Sequence, residues 1–164
     1  MHKPQILFVM GVSGSGKTTI GKLLAEKLNI PFFDGDDFHP EANVKKMSEG
    51  HPLNDDDRQG WLERLNALAL ENVSTGAVIV CSALKTKYRR ILGNHLEDLH
   101  QFVYLKGSFD LINDRLALRK NHFMPKGLLQ SQFDTLKEPK KAITVSIDQT
   151  PNDMVNEIVE KLQN

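Results

Sequence analysis

Cysteine is almost missing from this chain: among 164 residues there is only Cys81. One thiol excludes an intramolecular disulfide, and its place in the apolar run 77–81 predicts a buried strand residue rather than a reactive group. Net charge is missing as well. Lys plus Arg and Asp plus Glu each number 21, so no global field draws the chain to nucleic acid or to an anionic membrane. The apolar run 6–10 is too short for a signal segment or a membrane span, which predicts a core strand and a soluble, cytoplasmic protein. There is no internal repeat and no low-complexity segment. His39 and His122 have no metal-ligand spacing with each other or with Cys81, which argues against a zinc site. The length fits one domain with a real core, in which the lone Trp61 is expected to be buried.

What the chain does have is Gly11-Val12-Ser13-Gly14-Ser15-Gly16-Lys17-Thr18, between the apolar run 6–10 and a helix-patterned run 20–28. This is the G-x-x-x-x-G-K-[ST] spacing of a phosphate-binding loop, read as strand, loop, helix. The glycines let consecutive amides turn toward an anion, and Lys17 adds a mobile positive charge near the β- and γ-phosphates. Thr18 offers a hydroxyl to Mg²⁺, and the helix that follows directs the positive end of its dipole at the phosphates. A nucleoside triphosphate and Mg²⁺ follow as the first inference.

Beyond the loop, short apolar runs alternate with helical periodicity. Strands are predicted at 31–34, 77–81, 102–105 and 143–147. Helices are predicted near 40–48, from Asn54 to before Gly76, around Lys85 to Arg90, at 109–119, at 128–136 and at the C-terminus. Alternation of five strands with helices predicts an α/β fold, a five-stranded parallel sheet with helices on both faces. Residues 120–127 lack periodicity and read as a lid.

Asp34 ends the second predicted strand and Asp36 follows it, at the strand end where ligands gather in open α/β sheets. Two acids two residues apart share a direction in extended backbone, one toward Mg²⁺ and one toward an acceptor hydroxyl whose proton it would take. Arg58 offers a planar fork to a carboxylate or phosphate, and spacing equally allows an ion pair with Asp55. Arg115 and Arg119 share a helix face beside the lid, either as a phosphate clamp or as a solvated surface.

These stretches together resemble one family. The loop, Asp34-Gly35-Asp36-Asp37-Phe38-His39-Pro40, Asn43 with Lys46-Met47, Gly50 to Arg58, Cys81-Ser82-Ala83-Leu84-Lys85, His122-Phe123-Met124-Pro125, Ser131-Gln132-Phe133 and Leu136-Lys137-Glu138-Pro139 are similar to gluconate kinases. The resemblance covers most of the chain. It implies a three-layer P-loop NTPase fold of the nucleoside-monophosphate-kinase type over 1–164, with a lid near 120–127. It also implies ATP- and Mg²⁺-dependent phosphorylation of the 6-hydroxyl of D-gluconate, commonly by a homodimer.

Carried onto this sequence, the resemblance assigns the nucleotide to residues 11–18 with Thr19 and Arg115, and Mg²⁺ to Thr18 and Asp34. It assigns proton acceptance to Asp36 and stabilisation of the transferring phosphoryl to Lys17 and Arg119. Gluconate would meet Asp36, His39, Arg58, Lys85, Arg89 and His122. Two alternatives stay open: a kinase for another small acceptor such as shikimate or a nucleoside monophosphate, and a nucleotide-binding regulator without catalysis.

Overall fold

Every residue of the stretch Ile6–Met10 is buried, which requires a strand covered on both faces. The computed structural model, which describes residues 5–118 and 127–164, places this strand, β1, at the centre of a parallel sheet. The other strands are β2 (Phe32–Asp34), β3 (Ala77–Val80), β4 (His100–Lys106) and β5 (Ile143–Ser146), in the order β2-β3-β1-β4-β5. Between them run α1 (Lys17–Leu28), α2 (Glu41–Ser48), α3 (Asp55–Glu71), α4 (Thr86–Leu92), α5 (Phe109–Ala117), α6 (Leu128–Thr135) and α7 (Pro151–Gln163).

Alternation along β1 splits the core into two layers. Leu7 and Val9 pack with Leu24 of α1, Ile112 of α5 and Ile158 of α7. Ile6, Phe8 and Met10 pack on the other face with Trp61 and Leu65 of α3 and Leu92 of α4. Cys81 is buried in this second layer, and burial pushes its thiol pKa up to about 12, so it is inert as expected. Edge strand β5 alternates, with Val145 buried between exposed Thr144 and Ser146.

The predicted elements are all present, with shifted ends. β4 starts two residues before its apolar run because His100 and Gln101 pair with Ile6 and Leu7 of β1. Register with a central neighbour, rather than hydrophobicity, sets its length. The helix after the loop begins at Lys17, three residues before its apolar face, because Gly16 takes φ 95° at its N-cap. Helix α3 starts where its acids predict. The Asp57 amide donates to Asn54 Oδ1 and the Asn54 amide to Asp57 Oδ2, both at 2.8 Å, which closes a capping box.

The chain lays β2 and β3 on one side of β1 and then crosses to lay β4 and β5 on the other. The loop after β1 therefore opens at the point where winding reverses, the crevice in which such sheets bind ligands. No helix among the described residues is long and apolar enough to cross a membrane.

Candidate active site

The loop from Gly11 to Thr18 owes its shape to two glycines in particular. A Cβ on Gly11 would come within 2.7 Å of Ser15 Oγ, and Gly16 holds a left-handed turn that L side chains rarely adopt. No side chain caps α1, which leaves the amides of its first turn for a ligand. Ser15 Oγ is buried without a hydrogen-bond partner among the described residues. Lys17 folds back over the loop, its Nζ donating to Gly11 O at 2.9 Å and to Val12 O at 3.0 Å. Burial lowers its pKa to about 8, against the pull of the acidic groups of Cys81, Asp36 and Asp34.

A cavity of about 250 Å³ opens above this loop. Its lining includes Ser13, Lys17, Thr18, Thr19, Asp34 and Asp36, so the structure brings the two predicted acids to the predicted phosphate site. Asp34 ends β2 and accepts the Asp36 amide at 3.0 Å, which caps the short 3-10 turn Gly35–Phe38. The protein packed around Asp36, and then the like charge of Asp34, hold its carboxyl above the usual range, while His39 and Lys17 draw it back. Its side chain is nevertheless 84% exposed and open to the cavity. Thr18 and Asp34 present oxygen donors of the kind Mg²⁺ prefers. Among the described residues no cluster of three or more His, Cys, Asp or Glu side chains could hold a metal ion.

His39 is placed by residues that sequence reasoning left without a role. Its ring stacks on Trp61 with centroids 4.1 Å apart, and Trp61 Nε1 donates to Gly35 O at 2.8 Å. Trp61 is buried in the core as expected, but it also fixes the His39 ring and the Gly35 carbonyl next to Asp36. Asn43 Nδ2 donates to Asp57 O at 2.9 Å and lies 3.3 Å from His39 Nδ1. An amide donor at Nδ1 leaves the imidazole proton on Nε2, 3.8 Å from Asp36 Oδ1. Burial, with Arg58 adding to it, lowers the His39 pKa, and Asp36 opposes this.

Beyond His39 lies a cluster centred on Asp55. Lys85 Nζ donates to Asp55 Oδ1 at 3.1 Å, Lys87 and the Tyr88 hydroxyl also donate to this carboxylate, and Arg58 Nη1 stands 3.9 Å from it. These bonds, from Lys87 first, then Tyr88 and Lys85, hold the Asp55 pKa well below the usual range. Arg58 and Lys85 also lie 5.8 and 5.4 Å from the centre of the Tyr88 ring. The pairing with Asp55 that spacing allowed is thus present, and Arg58 is its most distant member. Three cations around one carboxylate leave net positive charge for a further anion.

Two predicted arginines are engaged with backbone. Arg89 donates to Ala83 O and Lys137 O, both at 2.7 Å, tying the loop after β3 to the segment after α6. Arg115 donates to Ile147 O at 2.7 Å, tying α5 to the end of β5. Arg119, His122 and residues 120–126 of the predicted lid lie outside the described residues. A contact that no local spacing announces joins α6 to the loop: Gln132 accepts the Ser13 amide at 2.7 Å and donates to Ser13 Oγ at 3.0 Å.

The sequence matches the shikimate kinase family over residues 13–163. It is 44% identical to the thermoresistant gluconokinase of Escherichia coli K12, covering 99% of this chain and 95% of that one. It is likewise 44% identical to a gluconokinase of Gluconobacter oxydans 621H, covering 98% and 93%. The crystal structure of a gluconokinase from Sinorhizobium meliloti 1021 superposes with a TM-score of 0.84 at 41% identity, over 99% of this chain and 94% of that one. A loop that fits phosphates, an open carboxylate beside it and these likenesses together establish that the chain belongs to the gluconokinases of the shikimate kinase family of P-loop kinases.

Proposed function

We propose that the chain transfers the γ-phosphoryl group of ATP to the 6-hydroxyl of D-gluconate, forming 6-phosphogluconate and ADP. The observation that carries this reading is that Lys17 and Asp36, a phosphate-seeking cation and an open carboxylate, line one cavity. A bond forms between the 6-oxygen and the γ-phosphorus, the bond from that phosphorus to the bridging oxygen breaks, and the hydroxyl proton passes to Asp36. His39 stands beside Asp36, its Nε2 3.8 Å from Oδ1.

Lys17 leaves the carbonyls of Gly11 and Val12 for the β- and γ-phosphates, and the first-turn amides of α1 complete the cradle. Thr18 and Asp34 would hold Mg²⁺, which supplies charge neutralisation on the phosphate oxygens when bound. Arg58 and Lys85 offer the positive charge that a sugar-acid carboxylate requires on leaving water. The same reading gives Arg119, beside a lid over 120–127, the charge of the transferring group, and gives His122, within that lid, a contact to substrate. Arg115 and Arg89 support this site by holding α5 and the loop after β3. It also has the chain working in the cytoplasm as a homodimer.

The test is ADP release with Mg-ATP against gluconate, other sugar acids, shikimate and AMP, beside an acceptor-free control. Stimulation by gluconate alone is expected. Stimulation by another acceptor instead would keep the catalytic apparatus and overturn the substrate, and binding of ATP with no stimulation at all would leave a regulator.

A further inference from the structure

The peptide unit between Val12 and Ser13 is gripped at both ends. Its carbonyl accepts Lys17 Nζ at 3.0 Å and the Ser15 amide at 3.2 Å, and its N–H donates to Gln132 Oε1 at 2.7 Å. Gln132 Nε2 also donates to Ser13 Oγ at 3.0 Å, so one side chain holds amide and hydroxyl of the same residue. A planar group with an acceptor and a donor side by side is needed for this. Glutamate would add negative charge beside a triphosphate, and lysine has no acceptor.

The grip comes from a fixed support. Leu129 of α6 is buried, Phe133 lies edge-on to Phe109 with centroids 5.6 Å apart, and the Lys137 amide beyond the helix donates to Leu84 O at 2.8 Å.

When phosphates draw Lys17 away, the Val12 carbonyl loses one of its two donors while the loop must keep its shape. We infer that Gln132 is a positioning residue of the nucleotide site: it fixes the Val12–Ser13 peptide plane during the departure of Lys17 and leaves the Ser13 O–H to be donated into the cavity that Ser13 lines. Ser13 is the one touched, and Gln132 acts through it. The inference rests on the proposed nucleotide reading of the loop.

Its test is the Kd of Mg-AMP-PNP for the wild-type chain, Gln132→Met and Ser13→Ala, with KM for ATP and gluconate measured alongside. Gln132→Met removes both bonds at nearly constant volume and is expected to weaken nucleotide binding about tenfold, with gluconate KM unchanged. Ser13→Ala, which keeps the amide bond, should lose about threefold. Wild-type affinity in Gln132→Met overturns the inference, even if its Tm falls. A wild-type chain that binds no Mg-AMP-PNP overturns the nucleotide reading itself, a result distinct from that one.

Amide hydrogen exchange on the wild-type chain decides the matter without a variant. The Ser13 N–H is expected to stay protected when nucleotide binds, and its deprotection on binding would show that Gln132 lets go.

Discussion

The imidazole of His39 lies flat on the indole of Trp61, 16° from parallel, and its Nε2 stands 3.8 Å from Asp36 Oδ1. Stacking fixes the plane of the ring, and the Asn43 amide at Nδ1 fixes its tautomer. A proton donor is thus held beside the exposed carboxylate proposed as the base. At 3.8 Å it leaves room for Asp36 to turn toward an acceptor.

Asp36→Asn should remove the proton acceptor and leave the fold alone, because the side chain is largely exposed and caps nothing. General-base assistance is worth about 10²- to 10⁴-fold, so kcat should fall by that order. The Kd for nucleotide and the Tm should stay close to wild type. Single-turnover kinetics beside thermal unfolding would check this, and a kcat within a few-fold of wild type would remove Asp36 from the chemistry.

The acid limb of kcat/KM should reflect the raised pKa of Asp36. Surrounding protein and the Asp34 charge both disfavour ionisation, so the limb should lie above the ordinary aspartate value of about 3.9. Asp34→Asn, assayed at saturating Mg²⁺, removes the like charge and makes ionisation easier. Its limb should therefore move to lower pH, whatever the loss in absolute rate, and a limb that stays in place would assign it to another group.

For Lys17 the sign runs the other way. Its pKa of about 8 in the free protein must rise when phosphates surround the ammonium, so binding takes up a proton above that pH. Nucleotide affinity should be full below about pH 8 and fall by up to tenfold per unit above it. Titrating the Kd of Mg-AMP-PNP from about pH 7 to about pH 9.5 would show the bend. Lys17→Arg, charged throughout, should bind more weakly but without it.

Arg58 faces both Tyr88 and Asp55, with its Nη1 3.4 Å from the Tyr88 hydroxyl and 3.9 Å from Asp55 Oδ1. Neither contact is short, and the Asp55 carboxylate already has Lys85, Lys87 and Tyr88. Arg58→Ala should therefore raise the gluconate KM about tenfold or more, as loss of a charge-assisted bond does, with ATP KM and Tm little changed. A lower Tm with an unchanged gluconate KM would make Arg58 a structural residue.

The parts of this site that lie close together in sequence were legible there. The loop and its helix announce themselves by glycine spacing and periodicity, and Asp34 and Asp36 by their place at a strand end. Asn43 and Asp57 were visible as residues of family-like strings, but the bonds from Asn43 Nδ2 to Asp57 O and from Lys46 Nζ to Asp57 Oδ2 follow from how α2 meets α3. The donors of Arg89 and Arg115 are counted in the sequence, while the carbonyls of Lys137 and Ile147 that take them are set only by folding. The bond between Ser13 and Gln132 spans 119 residues and follows no local pattern.

Trp61 offers a way to separate packing from placement of the base. Its Nε1 satisfies the carbonyl of Gly35, the residue before Asp36, in a buried bond of 2.8 Å. Trp61→Phe keeps an aromatic face for His39 but leaves that carbonyl without its donor, which costs about 1 to 3 kcal/mol. Urea unfolding should show the loss with an unchanged m-value. If the bond also sets the turn that aims Asp36, kcat should fall several-fold while the KM for ATP holds, because the phosphate loop is built from β1 and α1 and does not share this support. A variant that loses stability but keeps kcat would show that the stack on His39 and the Asp34 cap hold Asp36 in place without the indole nitrogen.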